Sequence, residues 1–137
     1  MKTLILYRSF LGSSKQYAEW LHEQVQSDIM KFSKASDKVI AQYDVVTMFG
    51  GTYAGRLSLA GFISKRWPAL KGKKMVFVTV AGAAENEAAS VQAYQTIPEE
   101  IRAAVKHFHL RGKLGKTNAA EVTREKVAPI AAYLKSL

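Results

Sequence analysis

The chain has no cysteine, which excludes disulfides, thiol nucleophiles and thiolate metal centres together. That is compatible with a reducing compartment, and a cytoplasmic location is the expectation. Acidic residues are few: 11 Asp and Glu stand against 20 Lys and Arg, leaving a formal charge of +9. Long apolar runs are missing too. The most weakly polar stretch, residues 75–84, is far short of the about 20 residues a membrane-spanning helix needs. The apolar run near the N-terminus stops at Tyr7 and Arg8, shorter than a secretory signal requires. No segment is low in complexity and no internal repeat is evident. What is present is an ordinary globular composition, 48% hydrophobic and 23% charged, in a length that suits one domain over residues 1–137.

Much of the excess positive charge sits in two runs. Lys65, Arg66, Lys71, Lys73 and Lys74 form the first, and Arg102, Lys106, Arg111, Lys113 and Lys116 the second, with His107 and His109 inside it. Such runs form a solvated face, or attract an acidic protein, anionic lipid or nucleic acid by long-range steering, and composition does not choose among these.

Apolar patterning predicts alternating strands and helices. Residues 3–7 read as a strand buried on both faces, and Tyr17, Ala18, Leu21 and Val25 carry helical spacing over about 15–26. A short edge strand is expected at 29–32, a possible short helix in 33–42, and a buried strand at 45–49. A helix is expected over about 58–67, closed by Pro68, and a strand over 75–80. Pro98-Glu99-Glu100 opens a helix expected to reach about Lys106, and a short strand follows around Phe108 and Leu110. A last helix is expected from about Ala120, broken or kinked near Pro129. This order implies α/β architecture: a parallel sheet with right-handed crossovers and helices on both faces. Ligands of such sheets bind at the carboxyl ends of the strands, where the winding reverses.

Three of those ends carry loops of small residues. The first runs Arg8-Ser9-Phe10-Leu11-Gly12-Ser13-Ser14 into a helix. The free N–H groups and dipole of a helix start favour an anion, and Ser9, Ser13 and Ser14 add hydroxyl donors. Gly50-Gly51-Thr52-Tyr53-Ala54-Gly55 and Ala81-Gly82-Ala83-Ala84 follow the later strands and let a ligand approach the backbone closely. Tyr53 adds an aromatic platform for a flat ring.

These three segments, together with Phe108-His109-Leu110-Arg111-Gly112, resemble the flavodoxin-like family over essentially the whole chain. More specifically, they resemble bacterial flavodoxin-domain proteins related to menaquinone-dependent protoporphyrinogen oxidase. The resemblance implies a flavodoxin-like three-layer sandwich with a five-stranded parallel sheet of order 2-1-3-4-5, and a non-covalent FMN. By position it implies that Ser9, Phe10, Leu11, Gly12, Ser13 and Ser14 hold the phosphate. Thr52, Tyr53, Ala54, Gly55, Ala81, Gly82, Ala83 and Ala84 would flank the isoalloxazine ring. The chain departs from the family where Leu11 replaces a usual threonine, in its basic charge, and in lacking room for the long insertion of the quinone-linked oxidases. The activity of those oxidases is therefore not carried over.

Other motifs are weaker. Residues 112–117, Gly-Lys-Leu-Gly-Lys-Thr, end like a nucleotide P-loop, but the earlier glycine would fall at Leu110. His107 and His109 share a strand face with no third ligand nearby, so no metal site is expected. No Gly-x-Ser-x-Gly elbow occurs, and Arg8 and Ser9 stand where a receiver domain would need carboxylates. The expected function is an FMN-binding redox protein, an electron carrier or small flavin oxidoreductase, with no catalytic side chain. The alternative is a flavodoxin-fold binding module without cofactor. The expected partner is a redox protein, an acidic one where the basic rim steers it, met through Arg111, Lys113 and Lys116 with Arg56. No nucleic acid is expected, since no recognition motif appears, and residues 65–74 are expected at the amino-terminal edge of the sheet.

Overall fold

The computed structural model describes residues 1–8, 12–53, 56–113 and 116–137. Five strands, β1 (Thr3–Arg8), β2 (Asp28–Lys31), β3 (Val45–Tyr53), β5 (Lys74–Ala81) and β6 (Val105–Arg111), pair in parallel in the order β2-β1-β3-β5-β6. Counted without the two-residue β4 (Arg56–Leu57), which turns back antiparallel on β3, this is the expected order 2-1-3-4-5.

Alternation along each strand divides the core, because successive side chains leave a strand on opposite faces. Leu4, Leu6, Val46, Met48, Met75 and Phe77 face one side, where α2 (Asp37–Ile40), α3 (Ala60–Leu70) and α5 (Glu99–Ala103) cover them with Ile40, Ile63, Leu70 and Ile101. Ile5, Phe49, Val76 and Val78 face the other, under Tyr17, Ala18 and Leu21 of α1 (Ser13–Gln24) and Ile130 and Ala131 of α6 (Ala128–Lys135). Each fully buried Leu, Ile or Phe contributes about 1.5–3 kcal/mol by leaving water.

Several elements differ from their sequence reading. β3 continues through Gly50 and Gly51 to Tyr53 instead of stopping at Phe49. Gly50 is needed within the strand because a Cβ there would lie 2.7 Å from Leu59 Cδ2. Helix α3 runs on to Leu70 with Pro68 inside it. Proline removes one amide, the bond to the carbonyl four residues earlier, and that residue, Ser64, is exposed to water. β6 begins at Val105, not near Phe108, since Val105 and Lys106 pair with Met75 and Val76 of β5. A helix α4 (Ala88–Gln95) was not expected. It buries only Ser90 and Ala93 and so has almost no apolar stripe to recognise. Near the C-terminus, two 3-10 turns, Ala119–Glu121 and Arg124–Val127, precede α6. Pro129 starts that helix instead of breaking it, which suits a residue with no amide to satisfy in the first turn.

Candidate functional site

Of the first loop, Ser9, Phe10 and Leu11 lie outside the described residues. Gly12 stands at the head of α1 with φ +91°, a backbone that side chains rarely adopt, and its carbonyl accepts from Gln16 N–H at 3.0 Å. Ser13 and Ser14 follow as buried first-turn residues of α1. Ser13 does not act as an N-cap. Its Oγ accepts the backbone N–H of Lys113, 100 residues away, at 3.1 Å. Gly112 makes that approach possible: a Cβ on it would lie 2.9 Å from Val80 Cγ1 and 3.7 Å from Ser13 Oγ. Its amide donates to Ala81 O at 2.7 Å. The glycine of the P-loop-like stretch is thus explained by close packing of the β6 exit against β5 and the start of α1. A second tie lies one turn along the helix, where the fully buried Tyr17 donates its hydroxyl to Arg111 O at 2.6 Å. Burial, then the nearby Glu121 carboxylate, pushes the Tyr17 hydroxyl up to about 12 and keeps it protonated.

The described part of the second segment pairs with the residues that follow it. Thr52 pairs with Leu57 and Tyr53 with Arg56, and Ser58 N–H donates to Gly51 O at 3.0 Å. Thr52 is half-buried. Ala54 and Gly55, and the side chains of Tyr53 and Arg56, lie outside what is described.

The third loop is clamped from β6 and beyond. Ala81 is the buried last residue of β5, and Gly82, Ala83 and Ala84 are half-buried. Gly82 O accepts two bonds, from Arg111 Nε at 3.0 Å and Asn118 Nδ2 at 2.9 Å. Ala83 O accepts from His109 Nε2 at 2.9 Å. Since that nitrogen must carry the proton, His109 Nδ1 accepts from the Thr79 hydroxyl at 2.9 Å. His107 Nε2 then donates to the same Thr79 oxygen at 2.8 Å. Thr79 is buried, so this three-residue chain satisfies a polar group that would otherwise be costly inside the sheet. His107 also stacks on Tyr94, ring centroids 3.8 Å apart and 7° from parallel. Burial chiefly, and then the neighbouring His109, pulls His107 down to about 4 against a smaller opposing pull from Glu85.

Fixing these carbonyls orients the amides. In a trans peptide the C=O of Gly82 and the N–H of Ala83 point in opposite directions. With the Gly82 oxygen held toward Arg111 and Asn118, the Ala83 N–H is turned away from them. Ala84 N–H is taken by Glu87 Oε1 at 3.1 Å. Sequence reasoning missed Asn118 altogether and gave His109 and Arg111 other roles. The alternate spacing of His107 and His109 on one strand was the available signal. Asn118 had only its residue type, which tolerates the left-handed backbone found there, φ 62°. No group of three or more His, Cys, Asp or Glu able to hold a metal occurs among the described residues. Nor is any helix there long and apolar enough to cross a membrane.

A parallel sheet wound both ways, with three carboxyl-end segments of small residues and a helix start beside them, defines the doubly wound class of domain, whose ligands bind outside the carboxyl ends of the strands where the winding reverses. Within that class the chain belongs to the flavodoxin-domain family, whose pattern matches residues 4–135. No curated protein matches it in sequence. Among solved structures it is similar to oxidised flavodoxin 2 from Bacillus cereus, with 16% identity, 100% of each chain covered and a TM-score of 0.68. It is likewise similar to two-electron-reduced Megasphaera elsdenii flavodoxin, at 19% identity over 96% of this chain and 98% of that one, TM-score 0.65. A flavoprotein from Lactobacillus acidophilus solved in complex with FMN has 16% identity over 80% of this chain and 91% of its own, TM-score 0.52.

Proposed function

We propose that this chain is an FMN-binding redox protein, a carrier of electrons or a small flavin oxidoreductase, working in the cytoplasm. The observation that carries the reading is the clamped loop after β5, whose Gly82 and Ala83 carbonyls are both turned into the protein. Such a loop offers the Ala83 amide as a preorganised donor to an electron-rich ring edge. The start of α1 supplies the anion site expected for a phosphate. Using Ser13 Oγ as acceptor for Lys113 N–H leaves its own O–H to give to an anion. FMN, when bound, supplies transfer of one or two electrons, and the protein contributes binding, orientation and polarity. No side chain is assigned a catalytic role. Relatedness to the flavodoxin domains of quinone-linked oxidases is part of this proposal, and their activity is not.

One expectation about the partner changes. Arg111 is tied to Gly82 O, to Asn118 Oδ1 at 3.2 Å and to Glu121 Oε2 at 3.7 Å. Its role is to hold the loop. Lys113 and Lys116 are exposed and remain the candidates for steering an acidic redox partner.

A specific observation also favours the cofactor-free reading. Leu11 stands where the family usually has threonine, so one of the hydroxyls expected at the phosphate is missing. Losing one hydrogen bond to a charged group costs about 1.5–3 kcal/mol, or one to two powers of ten in affinity. The test is to add FMN, remove the excess, and record the visible spectrum and thermal melt. A retained yellow protein with a raised melting temperature is expected, since a ligand of the native state alone stabilises it. A colourless protein with an unchanged melt refutes the FMN reading in favour of a cofactor-free binding module.

A further inference from the structure

At the carboxyl ends of β1 and β2, on the opposite half of the sheet from the loop after β5, lies an open cleft of about 770 Å³. Arg8 and Lys15 flank the first candidate flavin segment, residues 9–14, and the other described lining residues lie outside all three segments. Five cations line it from four elements: Arg8 ends β1, Lys15 is in α1, Lys31 ends β2, and Lys65 and Arg66 project from α3. No carboxylate is among the described lining residues. Only Arg66 has an ion-pair partner there, Asp37 at 3.1 Å, and that carboxylate is itself largely exposed. Arg8, Lys15, Lys31 and Lys65 are exposed and form no ion pair among the described residues.

Like charges brought into one concavity repel, and a surrounding low-dielectric wall strengthens the field that an anion would feel. Two donors of the lining residues add to this. Ser58 Oγ and Arg66 Nε are shielded from water, and among the described residues neither has a hydrogen-bond partner. Apolar surface is also present, from Tyr7 and from Phe62, which stacks on Phe32 with centroids 4.6 Å apart and 11° from parallel. The volume falls within the about 300–1,000 Å³ of small-molecule sites. A nucleic-acid or acidic-protein surface would present its cations along an open face, whereas these converge from four elements on one hollow.

We propose that this cleft binds a diphosphate anion, carried by a nucleoside diphosphate or met as free pyrophosphate. Lys31 and Lys65 face the phosphates with Arg8, Lys15 and Arg66, and the Tyr7–Phe62 wall receives a base where one is attached. Because the cleft borders the segment expected to hold the FMN phosphate, it is a separate site only if ADP still binds once FMN has saturated the chain, and displacement of ADP by FMN overturns the proposal.

Calorimetric titration of the full chain tests it, with ADP, pyrophosphate and adenosine as probes, without FMN and after saturation with it. ADP and pyrophosphate bind in both states, more weakly at high salt, and adenosine does not. ADP binding at least about tenfold tighter than pyrophosphate identifies the nucleotide as the source, and equal binding identifies the free anion. The double variant Lys31→Glu, Lys65→Glu weakens ADP about tenfold or more, because charge-assisted contacts to phosphate are replaced by repulsion. It leaves the melt and any FMN-induced melt shift unchanged. The control Lys113→Glu, Lys116→Glu leaves ADP binding intact. Absence of ADP and pyrophosphate binding overturns the proposal. So does equal weakening by both variants, or binding of a single-stranded oligonucleotide without binding of ADP. Loss of the FMN response with ADP binding retained overturns only the FMN reading.

Discussion

Acidification should destabilise this fold through His107 before most of its carboxylates matter. The unfolded chain takes up the imidazole proton near pH 6.5, but the half-buried, stacked ring in the fold takes it only near 4. Between those values the unfolded state binds more protons, so stability falls as pH drops from about 6.5 to about 4 and this contribution then levels off. At about 1.4 kcal/mol per pH unit the full gap corresponds to at most about 3.5 kcal/mol. His107 is only half-buried, so solvent screening lowers that to about 1–2 kcal/mol. The perturbation that isolates it is His107→Phe, which keeps an aromatic ring against Tyr94 and removes the titrating group. Urea unfolding of both proteins at pH 7.5, 5.5 and 4.5 gives their stability difference at each pH, with all other titrations in common. At pH 7.5 the variant is the less stable, by about 0.5–1.5 kcal/mol for the lost bond to Thr79. By pH 4.5 most of that deficit should be recovered or reversed. A stability difference that stays constant across the range would refute the depressed His107, as would an imidazole NMR titration centred near 6.5.

Other substitutions follow from the geometry. Gly50→Ala places a Cβ 2.7 Å from the fully buried Leu59 side chain and should cost about 1–3 kcal/mol, lowering the melting temperature by about 3–4 °C per kcal/mol for a chain of this length. An unchanged melt would mean that Leu59 has room to move. Tyr17→Phe removes the bond to Arg111 O and should cost about 1–2 kcal/mol by urea titration, leaving a buried carbonyl short of a donor. Arg124→Gln breaks the 2.7 Å ion pair to Glu23, but both partners are half exposed or more, so the urea midpoint should shift by less than about 1 kcal/mol in stability. A larger loss would show the pair to be part of a network.

The sequence made the sheet legible because its central strands are nearly continuous apolar runs, and a run buried on both faces has few other interpretations. Where a helix had little apolar surface to bury, as α4 did with only Ser90 and Ala93, patterning carried no information. Small residues misled in a specific way. Gly50 and Gly51 looked like a loop, yet they sit inside β3, and what Gly50 admits is the Leu59 side chain. Gly112 likewise admits Val80 and Ser13. A glycine marks close approach, and sequence alone does not say by whom. The sequence suggested three loops as the candidate site but gave no sign of the bonds that fix the third. Those bonds join residues 26 to 36 positions apart, Ala83 to His109, Gly82 to Arg111 and Gly82 to Asn118, and become visible only when the β5–β6 register is known.

The same register explains why charge runs read along the chain divide in space. Lys65 and Arg66 lie on α3 and face the cleft at the ends of β1 and β2, not the amino-terminal edge expected for the whole run. Lys71 and Lys73 do lie at that edge, just before β5. Lys71 approaches Glu100 at 3.9 Å, with both side chains exposed. Lys73 donates to Tyr43 O at 2.6 Å, where it supports the chain entering β3. The second run divides as well, into an Arg111 committed to the loop after β5, an Arg102 that donates to Ile97 O, a Lys106 over the Phe108 and Tyr133 rings, and Lys113 and Lys116 left in solvent. A helix covers its run of residues in space at 1.5 Å each, so neighbours in sequence part company wherever a helix ends and a strand begins. Net charge therefore has no single role in this chain. Reversing charges by sequence run would mix the cleft, the loop clamp and the solvated edge in one variant. Reversing them by location, with Lys31 and Lys65 as one pair and Lys113 and Lys116 as the other, keeps anion binding and partner encounter separable.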